Sequence, residues 1–575
     1  MDIVYASFRR FWPLAVIFFM ACVALGPLFF MGGLPAGHDL MFEMVRLLEY
    51  KDALLSQGVP RFSPHTYGGF GSPVFLYYSP FFAFSASVLD LLINSMQHSV
   101  MLLFLFLLTG SGYAVFHLFE GLLGTRLRVL LAATWIFSPY VFIDIFQRNA
   151  FSEATALLLL PLVLLGFVRV WTVGSRTWSI FAICTTLSLL LAHNLTVLMV
   201  LGTVLAVSIF WALWSWKTFW ELLAHERQRA RRLLMVILLS AGLSAWFLLP
   251  AFLQKNLVHI EEVLTGKFAY VLHFPSLQDV LLQPFVAEYA LVPIVLLFLS
   301  ICTCIHAHVT RQKQSVLVIM GALVTFIGVF CMLSWSQALW SSISLMPYLQ
   351  FPWRFAVIFT LGSLLLLAGI LSYWWQLARL RPFLWIVPAL VLLHHVGIWY
   401  LGYVHTPMHG APDLPRTAME IATRNLQATV GREYWPAHIA LNRDLSTLSP
   451  LFAEPATGAR FAIPPILYAA CGKDLPATDK AVADFPFLVS EGTEKAQDEE
   501  RREFLIIPSR FSVSPDTCVR ISLGWTQVEG WAWSLSGISV LLLAWYLWRF
   551  TGSAASYREE RVRPPLRSQG QDISE

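Results

Sequence analysis

Charge is what this chain is short of. Only 13% of its 575 residues are Asp, Glu, Lys or Arg, while 57% are hydrophobic, with 44 Phe and 22 Trp. A water-soluble fold needs a charged surface, and several apolar runs here exceed the roughly 18 residues that read as a membrane-spanning helix. That excludes a soluble globular protein and points to an all-α polytopic membrane protein. Cysteine is also scarce: seven in all, none paired with histidine at zinc-site spacing. Five of them (Cys22, Cys184, Cys302, Cys304, Cys331) fall in or at apolar runs and read as packing residues. There is no P-loop, no Rossmann glycine pattern and no internal repeat, and no basic patch calls for a nucleic-acid partner.

The apolar runs predict about twelve spans, at 12–31, 99–119, 128–147, 153–172, 178–193, 195–216, 232–253, 289–306, 315–334, 354–375, 384–404 and 529–549. The first follows Arg9 and Arg10 and has no small-residue cleavage site behind it, so it is expected to be retained. With a cytoplasmic N-terminus, the basic clusters at Arg126/Arg128, Arg169/Arg176, Arg227 to Arg232, Arg311/Lys313, Arg379/Arg381 and Arg558/Arg561 all fall on the cytoplasmic side. Counting 73–95 as one more span would turn every later loop over. That run carries Pro73, Pro80 and several serines and tyrosines, which suits a helix lying in the interface.

Four regions follow: a transmembrane module at 1–404, whose first outer loop (32–98) carries interfacial helices; an extracytoplasmic soluble domain at 405–528; a final span; and a cytoplasmic tail at 550–575. The soluble stretch is proline-rich, with short apolar runs (504–507, 511–513, 519–523) expected to be strands of a small β-rich domain. Its two cysteines, Cys471 and Cys518, fit a disulfide if the stretch faces an oxidising compartment.

Charged residues kept beside a bilayer are the candidates for chemistry, because each costs a few kcal/mol there. Asp39, Glu43, Arg46 and Tyr50 recur on one face of a predicted helix beginning after Gly37-His38, with Leu40, Met44, Leu47 and Leu55 on another. That helix is expected along the membrane surface, its polar face toward water or a protein cavity. Asp39 has two readings, a helix cap or a catalytic carboxylate. Glu43 and Arg46 read equally as a surface ion pair. The segment from Arg61 through Tyr67 to Tyr77 and Tyr78 is dense in Gly, Pro and aromatics, suited to sugar stacking or to an interfacial belt. Arg148 and Glu153, with Asp144 a turn earlier, are either an internal ion pair or functional. His193 and Asn194 interrupt two spans, His259 lies in the fourth outer segment, and Arg354 at the mouth of a span is placed to clamp a phosphate or to reach the headgroups.

The order of these motifs carries a resemblance. Gly37-His38-Asp39, then Tyr67-Gly68-Gly69-Phe70-Gly71-Ser72-Pro73, then Arg148 to Glu153, Ala192-His193-Asn194, Phe351-Pro352-Trp353-Arg354-Phe355 and Glu433-Tyr434-Trp435-Pro436 resemble the bacterial membrane-protein family labelled "6-pyruvoyl-tetrahydropterin synthase-related". The architecture in turn resembles the GT-C glycosyltransferases. That resemblance implies a carboxylate base in the first outer loop, matched by Asp39, and a second acid in the next, matched by Glu153. It also implies a polyprenyl-phosphate-linked sugar as donor and a glycan, lipid or protein acceptor outside the bacterial cytoplasmic membrane. His38, Glu43, Arg61, Tyr67, Tyr77, Tyr78, Arg148, His193, Asn194, His259, Arg354 and Glu433 are the expected substrate contacts. Mg or Mn is the one cofactor raised, with Asp39 and Glu153 as its ligands. The competing readings are a transporter or flippase of a lipid-linked glycan, and a non-catalytic assembly protein.

Overall fold

The computed structural model describes residues 2–30, 33–216, 225–275, 284–312, 315–405 and 525–560, together with six strands and a few single residues between 406 and 524. Among the described residues nine helices are long and apolar enough to cross a bilayer, and two bent pairs bring the number to eleven. The bent pairs are Arg227–Leu243 with Ala245–Leu253, at 66°, and Val316–Met332 with Ser334–Ser342, at 86°. The remaining expected span, 178–193, falls on the helix Arg176–Ala192, whose 17 residues reach about 25 Å and fall short of a ~30 Å hydrocarbon core.

The centre of the bundle is made by Met96–Leu118, the run from Thr125 to Gln147, Phe151–Thr172 and Pro352–Trp375, in which 72%, 89%, 61% and 78% of the apolar window is buried. Asn194–Trp214 buries only 17% and turns Leu201, Leu205, Ile209 and Leu213 outward, as a lipid-facing helix does. Val316–Met332 and Ala356–Trp375 approach closely, and the sequence says why. Gly321 and Gly328 on one, and Gly362 and Gly369 on the other, recur seven residues apart. A Cβ at any of them would lie within 2.8 Å of the partner backbone. Small residues let two helices meet where no hydrophobic effect pushes them together.

The ambiguous run 73–95 divides. Val74–Tyr77 is a single turn, and Phe81–Ile93 is a helix of 13 residues, about 20 Å and too short to cross. It buries Phe82, Ala86, Ser87 and Asp90 and exposes Phe84, Val88, Leu91 and Leu92. The Asp90 carboxylate accepts from Lys51 Nζ at 2.5 Å, which ties this helix to the one before it.

Most of the expected soluble domain lies outside the described residues. Six strands are described there: β1 Ile466–Cys471, β2 Lys480–Ala483, β3 Leu488–Glu491, β4 Glu494–Lys495, β5 Phe504–Ile507 and β6 Cys518–Leu523. They form two three-stranded sheets, ordered β1-β6-β3 and β2-β5-β4, with every pairing antiparallel. In the β1–β6 pair, Cys471 stands opposite Cys518. Directly opposed antiparallel residues have a backbone spacing of about 4.5–5.5 Å, within the range a disulfide spans.

Candidate active site

The backbone around Asp39 is held before its side chain is considered. His38 N donates to Gln147 O at 3.0 Å and Asp39 N to Arg148 O at 2.9 Å, a two-rung ladder between the segment after the first span and the turn at 147–150. The receiving turn is shaped by Asn149, which sits in the left-handed region at φ 55 and donates from Nδ2 to Ile145 O at 2.9 Å. Asparagine tolerates that region better than most residues. Gly37 is required by the same contact: a Cβ there would lie 2.0 Å from Asn149 Oδ1 and 2.5 Å from Gln147 O. Asp39 then opens the helix Leu40–Gln57, yet its side chain makes no capping hydrogen bond. The carboxylate is half-buried.

The helix that follows is not a surface helix. Glu43, Arg46, Glu49 and Tyr50 are all buried, as are Leu40, Met44 and Leu47 on the other face. Glu43 and Arg46 form a buried ion pair at 2.6 Å, not a surface one. The Arg46 guanidinium lies 4.0 Å from the Tyr78 ring centre, and Tyr78 Oη donates to Glu43 Oε1 at 3.4 Å. Burial pushes the Glu43 carboxyl up against the pull of Arg46, and burial pushes the Tyr78 phenol up as well. A small cleft lies between this group and Ser79 and Ser152.

The second acid is differently placed. Glu153 accepts from Tyr140 Oη at 2.6 Å and from Arg148 Nη2 at 3.0 Å, and Arg354 Nε stands 3.3 Å away. Arg148 Nη1 donates to Asp144 Oδ1 at 2.6 Å and to Tyr140 Oη at 3.0 Å. Asp144, Arg148 and Glu153 are all buried. Two carboxyl groups, Asp144 and Glu153, thus face two guanidiniums, Arg148 and Arg354. Arg148 is paired with Asp144 and Glu153 at once. Arg354 donates from Nη1 to Leu349 O at 2.8 Å and Gln350 Oε1 at 3.0 Å; no hydrogen bond from its Nη2 appears among the described residues.

The Gly- and aromatic-rich loop is folded back by residues the spacing did not single out. Glu49 accepts from Ser63 Oγ at 2.5 Å, from His65 N at 3.2 Å and pairs with His65 Nδ1 at 2.8 Å. Gln57 accepts from Arg61 N and Phe62 N and donates to Phe62 O. Tyr67, buried, sits in the left-handed region at φ 54. Asn194 holds the far end, donating to Tyr77 O at 3.2 Å and accepting from Ser79 Oγ at 3.1 Å. His193 bonds Thr196 Oγ1 at 2.8 Å. Arg61 pairs with Glu529 at 2.9 Å in a fully buried contact. Glu529 was legible only through its helix-start signature: Thr526 and Glu529 bond each other's backbone amides at 3.2 and 2.8 Å, a capping box.

His259 pairs with Glu261 at 2.8 Å. Glu433 lies outside the described residues, though Tyr434 beside it stacks on Tyr77 with ring centres 5.6 Å apart. Of the two acids raised as metal ligands, Glu153 has each oxygen accepting one hydrogen bond, from Tyr140 and from Arg148. Among the described residues, no three His, Cys, Asp or Glu side chains converge as a metal site.

Behind the ionic group opens an apolar cleft of about 480 Å³, counted with its open mouth. Its walls include Trp135, Leu296, Phe359, Leu364 and Val391, and Tyr140 stands in it with Thr134, Ser138, Ser363 and His395. Tyr140 therefore belongs both to the cleft and, through its hydroxyl, to Glu153.

No family model matches this chain, and no curated protein does, so the likeness to the pterin synthase-related family is carried by the motifs alone. Among solved structures the chain is similar to the arabinofuranosyltransferase AftD from Mycobacteria, at 18% identity over 71% of this chain and 28% of that one, with a TM-score of 0.38. It is also similar to the oligosaccharyltransferase of Archaeoglobus fulgidus, at 13% identity over 76% of this chain and 61% of that one, with a TM-score of 0.42. A further structure, the archaeal oligosaccharyltransferase AglB from Archaeoglobus fulgidus with an inhibitory peptide and a dolichol-phosphate, matches at 15% identity and a TM-score of 0.41. The chain spans 28% and 61% of the length of the first two. At this level the likeness assigns neither donor nor acceptor.

Proposed function

We propose that this chain is an integral-membrane glycosyltransferase of a bacterial cytoplasmic membrane, moving a sugar from a polyprenyl-phosphate donor to an acceptor at the outer face. Asp39 is its general base. The acceptor hydroxyl oxygen attacks the anomeric carbon as the bond from that carbon to the phosphate oxygen breaks. The electron pair leaves with the polyprenyl phosphate, and the acceptor proton passes to the Asp39 carboxylate.

The observation that carries this reading is the state of Asp39. It is the first acid of the first outer loop, fixed by its backbone to Arg148 O, half-buried, with a side chain that caps nothing. A base must be positioned and still able to meet a proton. Two further features support the reading. The apolar cleft reaching Tyr140 suits a lipid tail entering from the bilayer. The three arginines named as substrate contacts all pair with carboxylates, Arg61 with Glu529, Arg148 with Asp144 and Glu153, and Arg354 through Nε with Glu153; among the described residues only Arg354 has an amino group, Nη2, with no hydrogen bond. An arginine so placed stabilises charge that develops on a departing phosphate.

The transporter reading has one observation in its favour, the two bent helix pairs. Broken helices in transporters place ionisable or polar groups at the break, near mid-membrane. Here the breaks fall at Ser244 and Leu333, late in each helix, with Trp246 and Trp335 beside them; serines stand at both breaks but no Asp, Glu, Lys, Arg or His does. The enzyme reading is favoured.

The test is release of polyprenyl phosphate from a panel of short-chain polyprenyl-phosphate sugars by the full-length protein in membranes. Wild type is expected to release it and Asp39→Asn to fail while accumulating normally. Undiminished release by Asp39→Asn removes the base.

A further inference from the structure

We propose that Glu529, at the outer start of the last span, is a positioning residue that holds the helix carrying Asp39 in place. The inference concerns the placement of Asp39, and it rests on the catalytic reading only for its consequence in the reaction.

The connection can be followed residue by residue. Glu529 Oε1 receives Arg61 Nη1 at 2.9 Å, and the same guanidinium lies 4.3 Å from the centre of the Trp525 ring. Both side chains of the ion pair are nearly inaccessible, at 4% and 1% exposure. Gln57, the last residue of the Asp39 helix, accepts from Arg61 N at 3.1 Å and Phe62 N at 3.2 Å and donates to Phe62 O at 2.6 Å. The last span is therefore joined to the C-terminal end of the helix, and the 147–148 ladder grips its N-terminal end. An 18-residue helix is a rod about 27 Å long, so a shift at Gln57 is transmitted along it to Asp39.

The loop closes on the same place twice. Thr526 Oγ1 accepts from Gln254 Nε2 at 2.5 Å, and Gln254 O accepts from Tyr77 Oη at 2.9 Å. Arg61 and Tyr77, sixteen residues apart by their numbers, are thus both fastened to the start of the last span, one directly and one through Gln254. A buried ion pair 468 residues apart in sequence does not arise from local folding. Helix capping alone needs no Arg61: the capping box with Thr526 is complete without it.

That separation of roles provides the test. Glutamine also serves at the third position of a capping box, so Glu529→Gln keeps the helix start and removes the charge that holds Arg61. A cysteine replacing Asp39 in the full-length protein is labelled in membranes with an impermeant maleimide, and background from the native cysteines is subtracted using the unsubstituted chain. The combination D39C/E529Q is expected to label several-fold faster than D39C, and D39C/R61Q to match it. The triple variant D39C/R61Q/E529Q is expected to be no faster than either, because the pair acts as a unit. Its two glutamines leave no buried charge, so it also serves if E529Q alone fails to accumulate. W335C, at an exposed residue on a different segment, is expected to label equally in both backgrounds. An unchanged rate at position 39 overturns the proposal, and so does an equal rise at position 335, which would signal general loosening. Since labelling requires no catalysis, it judges Glu529 even if Asp39→Asn proves fully active.

Discussion

Asp39 and Glu153 are the same kind of group in the same kind of place, a carboxylate at or near the start of a helix, and the protein treats them in opposite ways. Asp39 is fixed through its backbone and is left half-buried without a cap bond from its side chain. Glu153 is buried, with both oxygens engaged and two arginines within 3.3 Å. A proton acceptor must have capacity to spare, whereas a strut must have none. The two are also one device: Arg148, whose carbonyl receives Asp39 N, is the residue whose side chain Glu153 and Asp144 hold.

The comparison is broken most directly by a matched pair of isosteric changes. Asp39→Asn should lower transfer by about 100- to 10,000-fold, the usual worth of a positioned base, with thermal stability unchanged. Glu153→Gln should do the reverse. It takes the shared carboxylate from the buried Arg148 and from Arg354, and removing one member of such a group costs about 3–5 kcal/mol. A sharply lowered melting temperature or lost membrane accumulation is the expected reading. If instead Glu153→Gln melts like wild type and loses transfer, the roles of the two acids are exchanged.

Gly37→Ala sharpens the same comparison with a smaller effect. Its methyl meets Asn149 Oδ1 and Gln147 O, so the two-rung ladder must part at one rung and Asp39 moves with it. Misplacement by about 1 Å costs up to about a hundredfold in rate. Transfer is expected to fall within that range with the melting temperature near that of wild type. A variant that transfers at the wild-type rate would show that the ladder does not set the position of Asp39.

How much of this was legible in the sequence follows from which interactions are local. Each span expected from the apolar runs falls on a helix, or on a bent pair of helices, because hydrophobicity over 18 or more residues is a property of the segment alone. The bends themselves were not legible. Asp39, Arg148 and Glu153 were found as charges out of place, and the ionic group around Arg148 is nearly local, spanning Tyr140 to Glu153 apart from Arg354. The polar face of the Leu40–Gln57 helix was read correctly as a face and wrongly as a surface ion pair. Periodicity reports which residues point the same way, not what packs on them. Glu529 was missed because its partner is at Arg61, and no local pattern encodes such a contact; only its capping box stood in the chain to be read.

The smallest expected effect tests whether a milder strut obeys the same logic. His65 pairs with the buried Glu49 at 2.8 Å. Burial alone would lower its pKa, and the Glu49 carboxylate outweighs that, so the imidazole is held above its usual value, which is near 6.5. A folded-state pKa above the unfolded one means that the folded state binds the proton more tightly. The stability this contributes is whole below about pH 6.5 and is lost as pH rises through the higher folded-state value. Melting temperature of the detergent-solubilised protein should therefore show a component that declines on that alkaline side. His65→Gln should remove that component and leave the remaining pH dependence intact. It should leave transfer far closer to wild type than Asp39→Asn does, since His65 contacts Glu49 at the middle of the helix, well away from its Asp39 end. A melting profile identical in shape for wild type and His65→Gln would mean that the pair is not charged in the folded protein, and that Glu49 holds the loop through Ser63 and the His65 amide alone.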